Sequence, residues 1–263
     1  MLRVLNGEIR KQKNNYFNSW GAYVSFIIWP LLTLFSVWFS YKNHNISYLS
    51  KFGIKSETDL FTYLLTGCLE YNCFWLMVQS AFFMRNEREN GTLEVIFLTP
   101  ASRLGIVYGR AMGSLYQALW LGVIYGISLL AIERYVLRVT AILFILYPVT
   151  LLSAIIWGGF MNTIFLFSRD IEFWFDVSDE PMKLFSGVNV PISKLPQFFR
   201  CISAIFPLTY CLEMVRAILL QREISFLLLV RFLGINVCVI LATVILLFLA
   251  EKNNRENGNF QFY

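Results

Sequence analysis

Four carboxylates stand where chemistry is possible. Glu70 lies in the apolar run 60–84, and Asp176, Asp179 and Glu180 lie in the segment 171–190. An ionisable group in such a setting is costly unless it faces a bundle interior, a water-filled cavity or a partner. Thr62, Thr66 and Glu70 are four apart and share one helix face. That stripe either lines a cavity or closes a structural hydrogen-bond network. The three downstream acids either line a translocation path for a cationic or amphipathic substrate or sit at the membrane interface. Glu213 and Arg216, three apart, can pair on a short helix. Arg231 in the last apolar run either snorkels or pairs. Catalysis finds less support. The single His44 and five cysteines without a CxxC spacing make no metal cluster, and the cysteines read as small buried hydrophobes. HExxH and GxSxG are absent, and no Gly-Lys dipeptide exists to start a phosphate-binding loop. We expect neither an enzyme nor a cofactor site in this chain.

The elements that must hold these residues are membrane helices. The 263 residues are 57% hydrophobic and 15% charged, with 25 Phe, 13 Tyr and 7 Trp. Mean hydropathy is +0.58. Soluble domains carry about 25% charged residues, and a single core of this size would not cover so much apolar surface. The same numbers exclude disorder. The net charge of +5 forms no basic stripe, which excludes a nucleic-acid partner. Apolar runs at about 20–41, 60–84, 105–132, 139–167 and 225–250 each exceed the roughly 20 residues that cross a bilayer as a helix. Spanning strands would be shorter and would alternate.

Two segments resist hydropathy. Residues 171–190 are a sixth span burdened by Glu172, Asp176, Asp179, Glu180 and Lys183. Residues 191–223 carry Pro191, Pro196 and Pro207 between short apolar pieces, which suits a re-entrant segment. Residues 1–19 read as a basic amphipathic helix on the membrane surface. The expected fold is an all-α integral membrane protein of one domain over 1–263. It is a six-helix transmembrane bundle with an N-terminal interface helix and re-entrant helices before the last span. An even count puts both termini on one side, and the basic cluster before the first span favours the cytoplasm. Gly105, Gly109 and Gly113 line one helix face for close approach, either within the bundle or at a subunit interface.

The loop 85–104 is the most distinctive stretch. It holds Glu87, Arg88 and Glu89, then Gly91, a short helix that Thr92 can cap, Glu94 near the helix start, and Thr99-Pro100 as its stop. A short charged helix along the membrane face suits contact with a soluble partner. The run "NERENGTLE" (86–94), then "TPASR" (99–103) and "GR" (109–110), closely resembles the first cytoplasmic loop of the ABC-2 family of ABC-transporter permeases. A second stretch, "SGVNVPISKLPQFFRCISAIFPLTYCLEMVRAIL" (186–219), resembles that family's later motif. The resemblance implies an export permease in the cell membrane that works with a second permease, identical or homologous, and two ABC ATPase subunits. Those subunits bind the ATP and Mg. It implies that Glu87–Pro100 is the coupling helix docked on the ATPase, that 1–19 is the interface helix, and that 191–223 is a re-entrant pair on the outer side. Both termini are then cytoplasmic. The charged fifth segment departs from the family pattern. An ion-coupled secondary transporter or channel is the alternative, with Glu70 and the acidic segment as natural ion sites.

Overall fold

A computed structural model describes residues 2–16, 20–42, 56–80, 82, 87, 90–92, 95–96, 99–132, 136–168, 170–219 and 223–257. Their secondary structure is helical, with no strand among them. In chain order the helices are α1 (Leu2–Tyr16), α2 (Trp20–Lys42), α3 (Glu57–Gln79), α4 (Arg103–Gly113), α5 (Leu115–Ile132), α6 (Val136–Ala141), α7 (Tyr147–Phe167), α8 (Ile171–Phe185), α9 (Gln197–Ser203), α10 (Pro207–Leu219) and α11 (Phe226–Asn257). Local chemistry starts several of them. Ser56 and Asp59 form a reciprocal capping box at α3, with Asp59 N–H donating to Ser56 Oγ at 3.1 Å and Ser56 N–H donating to Asp59 Oδ2 at 3.0 Å. Ser102 caps α4 by accepting from Gly105 N–H at 3.2 Å, and Asp170 caps α8 by accepting from Phe173 N–H at 3.0 Å. A π-turn at Ile142–Leu146 joins α6 to α7.

Among the described residues, three stretches are long and apolar enough to cross a membrane: Arg103–Ala131, Val136–Leu166 and Phe226–Leu249. The first runs through α4 and α5 with only a turn at Ser114. The short pair α9 and α10 bends by 95° at its break, the form of a broken span or a re-entrant loop. Helices α2 and α3, with 23 residues each, reach roughly 35 Å. Helix α8 differs from the expected span 171–190. It has 15 residues and stops at Phe185, a reach of roughly 22 Å against a hydrocarbon core of about 30 Å. The chain then turns through Gly187, whose φ of +88° is left-handed backbone that favours glycine.

The core gathers around α3, which packs against α7, α5, α2 and α10. Leu69, Cys73, Phe74 and Met77 on α3 are fully buried. Lipid is as apolar as these side chains, so close packing and internal hydrogen bonds must hold the helices together. Gly158 of α7 leaves no room for a Cβ against Met77. Asn162 of α7, fully buried, donates to the Val107 carbonyl at 3.1 Å and to Ser80 Oγ at 3.4 Å, tying α7 to α4 and to the end of α3. Ser153 donates to Asn236 Oδ1 at 2.8 Å, tying α7 to α11.

These contacts define two ends of the bundle. At one end α1 packs on α4, while Val107, Leu166 and Leu247 cluster where α4, α7 and α11 meet. At the other end the turn after α8 meets the start of α3, where Tyr63 Oη donates to the Gly187 carbonyl at 3.0 Å. The α9–α10 pair lies there too: Ser203 Oγ donates to the Phe185 carbonyl at 2.6 Å.

Candidate functional site: a charged loop end and a lined cavity

At the first end the loop motif meets two helices. Glu87 pairs through one carboxylate oxygen with Lys11 of α1 and through the other with Arg110 of α4. Lys11 also reaches Glu8 at 3.2 Å. Arg110 is 1% exposed, so the Glu87–Arg110 pair is shielded from water, where ion pairs are costly to break, while Lys11 at the other carboxylate oxygen stays partly exposed. Gly105 and Gly109 turn toward α1 of the same chain. A Cβ at Gly109 would stand 3.3 Å from both Glu8 Cβ and Leu5 Cδ2, and one at Gly105 would stand 3.6 Å from Val4 Cγ1. Gly113 is buried at the end of α4.

Within the loop, Gly91 has a φ of +66°, as a reversal of chain direction there requires. Thr92 Oγ1 donates to the Glu87 carbonyl at 3.1 Å across the turn at Gly91, and residues 93 and 94 of the short helix that its hydroxyl is expected to cap lie outside the described residues. Thr99 Oγ1 donates to the Ile96 carbonyl at 2.6 Å, and Pro100 is exposed beside it. Arg88, Glu89 and Glu94, like His44, lie outside the described residues. Lys11 and Glu8 were not singled out from sequence, where they are ordinary members of a basic amphipathic helix. Arg110 was visible only as part of the Gly-Arg motif.

The second region is a cavity of about 190 Å³ between α2, α3, α8 and the turn after it. Asp179, Glu180 and Lys183 of α8 line one wall, and Trp29, Tyr71 and Trp75 line the others. Tyr71 Oη donates to Asp179 Oδ2 at 2.7 Å, and the Lys183 ammonium lies 5.7 Å from the Tyr71 ring centre. Asp176 is exposed on α8 and is not part of this lining. A second cavity of about 300 Å³ continues along α3 and shares Trp29, Asn72 and Trp75 with the first.

Glu70 lines neither cavity. It is fully buried, on the side of α3 where Thr150 and Arg216 lie within electrostatic reach. Neither of its oxygens has a hydrogen-bond partner among the described residues, and the Thr150 hydroxyl donates instead to the Leu146 carbonyl at 3.2 Å. Thr66 likewise turns its hydroxyl back on its own helix, toward the Thr62 and Tyr63 carbonyls. The expected Glu213–Arg216 pair is replaced by another arrangement. Arg216 donates from Nη1 to the Gly187 carbonyl at 2.6 Å and to Tyr63 Oη at 2.9 Å. From Nη2 it donates to the Val188 carbonyl at 3.0 Å and the Tyr63 carbonyl at 3.1 Å. Its guanidinium also lies 3.4 Å from the Tyr63 ring centre. Glu213 is exposed, with Arg231 of α11 as well as Arg216 in electrostatic reach.

The helical architecture, the several apolar spans, the bent helix pair and the loop residue Glu87 paired with α1 now stand together. No curated protein matches the chain. The family model described as ABC-2 type transporter matches residues 5–220, which takes in most of α1, the loop, both cavities and the bent pair. The chain is therefore a multi-pass membrane protein and a permease component of the ABC type, and it belongs to the ABC-2 type transporter family.

Proposed function

We propose that this chain is the membrane-spanning subunit of an ABC exporter, moving its substrate out across the cell membrane on ATP hydrolysed by a separate pair of ATPase subunits. A second permease, identical or homologous, completes the complex. ATP and Mg are bound by the ATPases, and this chain performs no hydrolysis itself. The observation that carries the reading is Glu87. One carboxylate ties the loop to both α1 and α4, so a push on the loop reaches a surface helix and a spanning helix together. Such a unit suits a coupling helix that moves as ATP draws two ATPases together and shifts the bundle between inward- and outward-open states. In this reading α1 lies on the inner membrane surface. The chain crosses six times, α8 with its following turn forming the fifth crossing, and both termini are cytoplasmic. The α9–α10 pair then lies at the outer side.

The test is reconstitution with the ATPase partner. Substrate-free ATPase activity and its coupling to transport are compared for the natural chain and Glu87→Gln, with membrane insertion checked for both. We expect Glu87→Gln to insert normally and to lose most of the permease-dependent ATPase stimulation. Transport at full rate with no nucleotide-hydrolysing partner would overturn the reading. The ion-coupled alternative draws on one observation, the fully buried Glu70 carboxylate on α3. Flux driven by a proton or sodium gradient, and lost in Glu70→Gln, would favour it.

A further inference from the structure

The guanidinium of Arg216 stands near two sets of acceptors and uses one. Its Nη atoms serve the Gly187 and Val188 carbonyls and Tyr63. Its Nε is buried and has no hydrogen-bond partner among the described residues. Both oxygens of Glu70 are in the same condition, although the residue is fully buried. A carboxylate held in a dry interior without a hydrogen bond is costly. Cys73, Tyr147, Thr150, Cys211 and Arg216 lie within electrostatic reach of Glu70, and Arg216 is the cation among them.

Helix α3 sets the path between the two positions. Tyr63, Gly67 and Glu70 follow at i, i+4 and i+7, so they share one helix face. A Cβ built on Gly67 would stand 3.0 Å from Arg216 Nη2 and would leave no room for the Val188 carbonyl. The guanidinium and the turn therefore rest on bare backbone. Glu70 follows three residues later, roughly 4.5 Å further along the axis, and Gly67 puts no side chain in the way. We propose that Arg216 is a two-position latch: it holds the turn at Gly187 and Val188 in the described arrangement, and in a second arrangement it passes Gly67, pairs with Glu70 and releases the turn. Val188 and Asn189 of that turn line the charged cavity beside Asp179, so release loosens one wall of the cavity. Carbonyls satisfy the guanidinium in the first arrangement, and a carboxylate that matches its fork does so in the second. Two such packings are discrete states, as a switching element requires.

The latch deepens the transport reading, on which its use in opening the bundle rests, but its test needs no ATPase. The full chain is placed in lipid nanodiscs. Backbone hydrogen exchange is followed by mass spectrometry for the peptide covering residues 182–192, which holds the turn. Its rate follows the population of the opened form. Glu70→Gln keeps the shape but removes the charge that draws Arg216 away. Exchange is expected to slow at least tenfold, the worth of one charge-assisted hydrogen bond. Arg216→Gln removes the hold, and exchange is expected to speed up at least tenfold. The thermal midpoint of Glu70→Gln should hold or rise, because a buried charge is removed. Faster exchange in both variants would mean that the two residues support one static arrangement. Unchanged exchange in Glu70→Gln would mean that this carboxyl plays no part in opening the turn. Either result overturns the latch, as does unchanged exchange in Arg216→Gln or a lowered midpoint in Glu70→Gln. The expected opposite shifts, in a chain that transports without any nucleotide-hydrolysing partner, would leave the latch standing and overturn the transport reading alone.

Discussion

Arg216 shows what one side chain does when a turn leaves its carbonyls open. Helix α8 ends at Phe185 and the chain passes through left-handed Gly187, so the Gly187 and Val188 carbonyls have no helical N–H to accept from. The planar guanidinium of Arg216 reaches both, together with Tyr63. The spacing of Glu213 and Arg216 predicts an i, i+3 pair on α10, but a geometry-matched set of carbonyls in a dry interior outcompetes a carboxylate that faces outward. Sequence spacing names same-helix neighbours and has no view of a turn folded in from another element. We expect Arg216→Met to leave several buried acceptors short of a donor and to cost roughly 3 kcal/mol. A fall in the thermal midpoint of the purified permease is the measurement. Arg216→Lys should recover only part of the loss, because an ammonium keeps the charge but not the fork. Equal midpoints for all three proteins would show that the turn holds without this anchor.

At the scale of elements, legibility followed how local the signal was. The apolar runs overlap the long helices, because a span must be long and apolar wherever it packs. Gly105 and Gly109 were legible as a face made for close approach, since a four-residue spacing fixes a face. The occupant of that face was not, and it is α1, separated from α4 by two helices and a loop. The Lys11–Glu87–Arg110 cluster was hidden for the same reason. Helix α8 failed the hydropathy test because of five charges, of which Asp179, Glu180 and Lys183 line a cavity wall while Glu172 and Asp176 are exposed on the helix surface. The α1–α4 contact makes a direct prediction. Gly109→Leu forces a side chain into the 3.3 Å contacts with Glu8 and Leu5, an overpacking cost of about 1–3 kcal/mol. It should loosen α1 from α4 without removing any charge of the cluster. We expect normal insertion, a large drop in permease-stimulated ATPase activity, and faster proteolytic cleavage within α1. Retained stimulation with α1 cleaved quickly would separate the packing of α1 from the coupling of the loop.

For the molecule as a whole, the decisive property is that its two ends differ in kind. One end gathers α1, the charged loop residue Glu87, the start of α4 and the late part of α11 around Leu247. The other gathers the turn at Gly187, the Arg216 anchor and the bent α9–α10 pair. An exporter driven by soluble ATPases needs the first end in the cytoplasm, and nearly balanced Lys and Arg leave the positive-inside signal to the N-terminal cluster alone. The chain carries its own reporter. Cys201 on α9 is exposed at the second end, while Cys68, Cys73 and Cys211 are buried and Cys238 lies on the outward face of α11 amid apolar neighbours. A membrane-impermeant maleimide added to intact cells should therefore label the natural chain at Cys201, with the signal lost in Cys201→Ser. In that Cys201→Ser background, Asn90→Cys, exposed in the loop, should react only after the membrane is permeabilised. The reverse pattern would put the loop outside the cell, beyond reach of any cytoplasmic ATPase, and no rearrangement of contacts within the bundle would restore it as the coupling element.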